Sequence, residues 1–104
     1  MMEKTFSEAE FDWDTHNVNK IQEKHKVNFI EAEEVLFDIN LIISPDPTHS
    51  ITEKRCIALG KTKIGRLLFV VFTERSKKIR IISARNMSKK ERRYYEQIKK
   101  SAGA

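Results

Sequence analysis

Seven arginines lie in the second half of this 104-residue chain, and none precedes Arg55. A guanidinium is always charged and donates hydrogen bonds in a planar fork, which suits it to phosphate. Among them Arg55, Arg75, Arg80 and Arg85 fall on strand or turn positions. Convergent donors of this kind stabilise charge that develops on a phosphoryl oxygen. The richest stretch is Phe72-Thr-Glu-Arg-Ser-Lys-Lys-Ile-Arg-Ile-Ile-Ser-Ala-Arg85. On a regular strand Ile79, Ile81, Ser83 and Arg85 would share one face and Arg80, Ile82 and Ala84 the other. Arg80 and Arg85 are then expected to point opposite ways unless a bulge intervenes. Arg75 belongs to a hairpin turn. Taken singly, each of these arginines is equally well read as a solvated strand end.

Other reactive side chains are sparse. Glu53 and Arg55 stand two residues apart on one face of a strand, a base beside a phosphate clamp or an ordinary cross-strand ion pair. His16, His25 and His49 are too far apart, and too poorly accompanied by thiolates, for a metal site. His25 sits between Lys24 and Lys26 at a helix end, where it either transfers protons beside concentrated charge or interacts with the helix dipole. Tyr94 and Tyr95 follow Arg92 and Arg93. One ring is expected to pack on a sheet and the other to face outward with an arginine, where base stacking becomes available. No glycine-rich phosphate loop is present, which excludes P-loop and dinucleotide chemistry. Ser83 and Ser88 lack a nucleophile-elbow context. Cys56 reads as a small core residue.

The elements that must position these groups follow from periodicity and caps. Glu10 to Trp13 alternates like a short edge strand or an extended lead-in. Asp14 is an N-cap for a helix over about 15–25 with a thin apolar stripe. Asn28 with Glu31 is a capping box, and Val27 and Ala32 suit a hydrophobic staple. Phe29, Ala32, Val35 and Leu36 form the buried face of this second helix, which should stop near Asp38. Leu41–Ile43 is a short strand ended by Ser44-Pro-Asp-Pro47. Residues 53–60 alternate as a strand, 60–65 turn, 66–73 form the apolar centre of the sheet, 74–78 turn tightly and 79–85 pair back. Ser88 and Glu91 form a second capping box, opening a helix to about residue 100. The expected fold class is α+β: two N-terminal helices, an antiparallel sheet of three to four strands, and a C-terminal helix. The helices should cover one face of the sheet and leave the other to solvent.

Residues 1–50 carry four lysines against eleven acids, a net of −7; residues 51–104 carry sixteen basic residues against four acids, a net of +12, giving +5 overall. That polarity points to a polyanion on the basic side. The size suits one domain over 1–104, with residues 1–9 and 99–104 as frayed tails. At 39% hydrophobic and 34% charged, the composition is that of a soluble fold. No apolar run approaches the ~18 residues of a membrane span, and the N-terminus lacks the pattern of a secretion signal. One cysteine makes no internal disulfide, as fits a reducing cytoplasm.

Several pieces in order resemble the BrnT family of toxins: Phe11-Asp-Trp-Asp14, Lys24-His25-x-Val27-x-Phe29, Glu31-Ala-Glu-Glu-Val35, Asp46-x-x-His49, Glu53-x-Arg55 and Gly60. Phe72-Thr-x-Arg75, Arg80-Ile-Ile-Ser-Ala-Arg85 and Glu91-Arg92-x-x-Tyr95 complete the likeness over about 10–96. The resemblance implies a RelE-like, cytoplasmic ribonuclease toxin of a type II toxin–antitoxin system that cuts RNA without a metal or other cofactor and halts translation. A BrnA-type antitoxin with a ribbon-helix-helix DNA-binding part would neutralise it, and operator DNA would be reached only through that complex. In such an enzyme Arg75, Arg85, Arg55 and Arg80 clamp the scissile phosphate, Glu53 or His25 transfers protons, and Lys24, Tyr95 and Arg92 contact substrate. The alternative is a non-catalytic module that binds nucleic acid or antitoxin and acts in transcriptional autoregulation. Lys26 departs from the family, which usually has glycine there. It should adopt a left-handed helix end at about 1 kcal/mol, or the helix ends differently.

Overall fold

The computed structural model describes residues 10–46 and 54–102. In chain order these form β1 (Glu10–Phe11), α1 (Thr15–His25), α2 (Phe29–Val35), β2 (Ile42–Pro45), β3 (Arg55–Lys61), β4 (Leu67–Arg75), β5 (Lys78–Asn86) and α3 (Lys89–Ala102). Glu53 and His49 lie outside the described residues.

The fold is α+β with a five-stranded sheet in the order β1-β5-β4-β3-β2. The expectation of three to four antiparallel strands is corrected by β1, which pairs parallel to β5 through Glu10↔Lys78 and Phe11↔Ile79. It exists because Phe11 packs on the core while Asp12 N–H donates to the Ile79 carbonyl at 2.9 Å. Beyond β1, the Ile81 carbonyl is met instead by Asn17 Nδ2 of α1 at 2.6 Å. β2 continues through Pro45, opposite Cys56. Proline is tolerated there because β2 is an edge strand and needs no further donor on its outer side.

Local signals set the helices. Asp14 caps α1 by accepting from His16 N–H at 2.8 Å. Asn28 caps α2, and Glu31 returns a bond to Asn28 N–H at 3.1 Å, closing the capping box. α1 ends on Lys26 at φ 55 and ψ 36, the left-handed conformation.

The main core lies between α1–α2 and one sheet face: Ile21, Val27, Ala32, Val35 and Leu36 against Ala58, Leu68, Val70, Phe72, Ile81 and Ala84. Gly60 is required for this packing. A Cβ there would sit 2.8 Å from Val35 Cγ1 and 2.9 Å from the Val35 carbonyl oxygen, closer than real contacts allow.

Two expectations about faces are corrected. A second cluster of Leu59, Met87 and Tyr95, with Ile42, Leu67 and Phe69, uses the alternate residues of β3 and β4. α3 therefore covers one end of the opposite face, and the helices do not all share a side. β5 also breaks its alternation. Val71 pairs with Ser83 but Phe72 pairs with Ile81, so Ile82 is an extra residue in a bulge. Ile79 and Ile81 are buried before it and Ala84 after it. Arg80 and Arg85 consequently lie on the same face.

Candidate active site

Because directly paired residues share a face, the register places the site. Across β3, β4 and β5 the face away from α1 and α2 carries Leu59, Phe69 and Arg85 in one row. Ile57, Val71 and Ser83 form the next, followed by Arg55, Thr73 and Arg80. Arg75 and Lys78 close the series at the hairpin. Ser76 and Lys77 between them both have positive φ, 52 and 66, which makes the tight turn that brings Arg75 and Lys78 into register. All four strand and turn arginines therefore share one face. A cavity of about 320 Å³ opens on it, lined by Asp46, Arg55, Ile57, Phe69, Val71, Ile82 and Ser83.

These arginines differ in what holds them. Arg85 is firmly held: Nη1 and Nη2 donate to the two carboxylate oxygens of Glu91 at 2.9 and 3.0 Å, and Nη1 also reaches the Asn86 carbonyl at 3.0 Å. Its guanidinium lies 3.9 Å over the Phe69 ring. Glu91 also accepts from Ser88 N–H at 2.8 Å, so the same carboxylate caps α3 and fixes Arg85. The bond from Arg85 holds the Glu91 carboxyl below its ordinary range, against partial burial that pushes it up and with help from Ser88. Arg80 is held more loosely, 3.3 Å from both Asp12 and Asp14, whose side chains are 39% and 45% exposed. Pairs of that kind contribute about 0–1 kcal/mol and exchange readily for another anion. Arg55 lines the cavity beside Asp46, a buried acid whose N–H donates to the Arg55 carbonyl at 2.9 Å.

The remaining sequence candidates are dispersed. Lys24 is exposed on α1, in a groove with His16, Asn19, Lys20 and Glu23. His25 ends the same helix, half-buried, with its carbonyl accepting from Arg66 Nη2 at 3.4 Å. Arg92 is exposed on α3. Tyr95 requires a correction: it is fully buried, and its hydroxyl donates to Asp38 Oδ2 at 2.5 Å. Burial, followed by the Asp38 hydrogen bond, raises its pKa and keeps the phenol protonated. A ring so enclosed offers no face to a base, and it is Tyr94, 49% exposed, that points outward.

Three residues matter here in ways that the sequence does not show. Asp46 carried no signal beyond its place in a motif, because its burial depends on β2 pairing. Glu91 was legible as a cap but not as the partner of Arg85. Arg66 donates to Lys26 O, Glu31 Oε1 and Asn86 Oδ1 at 2.9, 3.0 and 2.9 Å. Nothing short of the fold brings those acceptors together. Among the described residues, no three His, Cys, Asp or Glu side chains gather as a metal would need.

Chemically, the face offers guanidinium donors around a small half-apolar concavity with one buried carboxylate, an arrangement that can grip a phosphodiester. A family model described as "Ribonuclease toxin, BrnT, of type II toxin-antitoxin system" matches residues 13–91. The fold is similar to the 1.1 Å crystal structure of the Brucella abortus ribonuclease toxin BrnT, with a TM-score of 0.57 and 21% sequence identity, covering 78% of this chain and 99% of that one. No curated protein matches the sequence. The family match spans most of the described sheet and its arginines, and the chain belongs to the BrnT family of ribonuclease toxins of type II toxin–antitoxin systems.

Proposed function

We propose that this chain is a cytoplasmic, RelE-like endoribonuclease that cleaves RNA without a metal ion, inhibits translation and is neutralised by a cognate BrnA-type antitoxin. The antitoxin would carry a ribbon-helix-helix part, and the pair would repress its own operon. The observation that supports this most directly is the bulge at Ile82, which brings Arg80 onto the face that carries Arg55, Arg75 and Arg85. Cleavage by the ribose 2′-hydroxyl needs that hydroxyl deprotonated, the pentacoordinate phosphorus stabilised and the leaving 5′-oxygen protonated. Arg55, Arg75 and Arg80 supply positive charge where the phosphorane develops. Arg85, fixed by Glu91 and Phe69, sets the end of the track. Glu53 and His25 remain the proton-transfer candidates, and Asp46 joins them because it lines the cavity. Arg92, exposed on α3 at one end of this face, and Lys24, exposed on α1 across the sheet, are the further candidate contacts for RNA.

The test is incubation of the purified chain, free of antitoxin, with RNA in the presence of EDTA. The RNA is cut, and Arg80→Gln and Arg85→Ala each reduce the rate by about a hundredfold or more while retaining a native circular dichroism spectrum. Retained cleavage in both variants would overturn the site. A second reading, a non-catalytic module binding nucleic acid or antitoxin, is favoured by the Arg85–Glu91 pair, which already satisfies one guanidinium. A wild-type chain that binds RNA and leaves it intact would establish it.

A further inference from the structure

We infer that Arg66 is a positioning residue, locking the His25 end of α1 and the Arg85 guanidinium into one fixed relation through Asn86. The kinetic part of this inference rests on the nuclease reading above.

A guanidinium carries five N–H donors in a rigid fork. Arg66 distributes them over three separate parts of the chain. Nη2 donates to the His25 carbonyl at 3.4 Å and Nη1 to the Lys26 carbonyl at 2.9 Å, capping the left-handed end of α1. Nη1 also meets Glu31 of α2 at 3.0 Å. Nε donates to Asn86 Oδ1 at 2.9 Å, at the last residue of β5. Asn86 uses both of its oxygens: the side chain accepts from Arg66, and the main-chain carbonyl accepts from Arg85 Nη1 at 3.0 Å. Arg85 in turn is closed off by Glu91 and the Phe69 ring. The His25 carbonyl and the Arg85 guanidinium are therefore linked through one arginine and one asparagine, by hydrogen bonds to Arg66 and to the two oxygens of Asn86.

An ordinary surface ion pair to Glu31 would need one nitrogen of Arg66, and lysine would serve as well. The fork is used instead to join a helix end that strains a non-glycine residue to the strand end beside the candidate phosphate clamp. Reactions of this type lose rate steeply when groups move by fractions of an ångström. Neither Arg66 nor Asn86 belongs to the cavity lining, so loss of the link should appear in kcat and leave KM unchanged.

The experiment uses Asn86→Ala, which removes the Arg66 acceptor but keeps the main-chain carbonyl that holds Arg85, and Asn86→Asp, which restores an acceptor. Expected for Asn86→Ala is a fall in kcat of about tenfold or more with KM nearly constant; Asn86→Asp should recover most of it. In NMR spectra of the intact chain, both the His25 ring signals and the Arg85 Nε–H signal should shift in Asn86→Ala and return in Asn86→Asp. Unchanged kcat overturns the inference. So does a fall in kcat that tracks the melting temperature and disappears when the assay is run well below it, since that is the behaviour of a plain staple. If the wild type cuts no RNA, the nuclease reading fails and the NMR arm alone decides. His25 signals that stay fixed in Asn86→Ala then overturn the coupling, and coupled shifts support it.

Discussion

Lys26 illustrates how a single backbone conformation can be specified by the fold against the residue that occupies it. At φ 55 and ψ 36 its Cβ crowds the neighbouring carbonyl, at a cost of about 1 kcal/mol for an L-residue. The position is fixed from both sides: its N–H closes α1 on the Gln22 carbonyl at 2.9 Å, and its own carbonyl accepts from Arg66. Two residues on, Asn28 must already cap α2. The chain therefore has no room to relax into another helix end. Lys26→Gly should raise the free energy of unfolding by about 1 kcal/mol, less the extra chain entropy that glycine brings to the unfolded state. Urea melts of the two proteins measure this directly, and a destabilised glycine variant would mean that the Lys26 side chain has a role its exposure does not suggest.

At the scale of elements, what was legible in the sequence was local and what was not was long-range. Both capping boxes, the limits of α1 and the apolar run of β4 follow from neighbours within a few residues, and each stands where its residues predict. The sequence marks β1 only as an edge strand or lead-in, because two residues carry no period and its parallel partner is over sixty positions away. Strict alternation misplaced Arg80 relative to Arg85, although Ile81-Ile82 followed by a polar Ser83 was a visible sign of a break. The side taken by α3 was illegible because an amphipathic helix declares an apolar stripe and not which sheet face it meets. The Glu91 carboxylate carries the consequence. It joins α3 to β5, and its pKa in the folded state lies below the unfolded value, chiefly through Arg85. The unfolded chain therefore binds the proton more readily. The stabilisation is complete above the ordinary glutamate range of about 4.3 and is lost as pH falls through the lower folded value. Glu91→Gln should melt at a lower temperature than the wild type at pH 7, with the gap closing as the pH drops below about 4. A gap independent of pH would assign the effect to capping alone.

The whole molecule is electrically polar, and its two sheet faces divide that polarity. α1 and α2 cover one face, where only α2 is strongly acidic through Glu31, Glu33 and Glu34, while Arg55, Arg75, Arg80 and Arg85 occupy the other. A polyanion is thus drawn to the arginine face, an orienting effect that salt should weaken. For a single-stranded analogue lacking the 2′-hydroxyl, each phosphate neutralised contributes about −0.7 to the slope of log K against log salt. Four arginine contacts predict a slope near −3. Arg75→Gln should flatten it by about 0.7, the share of one contact. Arg80 supplies the sharper test, because its guanidinium must leave Asp12 and Asp14 to reach phosphate. Combining Asp12→Asn with Asp14→Asn removes the competing carboxylates, and an asparagine side chain still serves as the N-cap of α1. The doubly substituted chain should bind the analogue several-fold more tightly than the wild type, judged against the ~1.4 kcal/mol that a tenfold change represents. Fluorescence anisotropy over a salt series measures both quantities. Equal affinities for the two proteins would remove Arg80 from the nucleic-acid track and leave its pairs with Asp12 and Asp14 as a clasp between β5 and the start of α1.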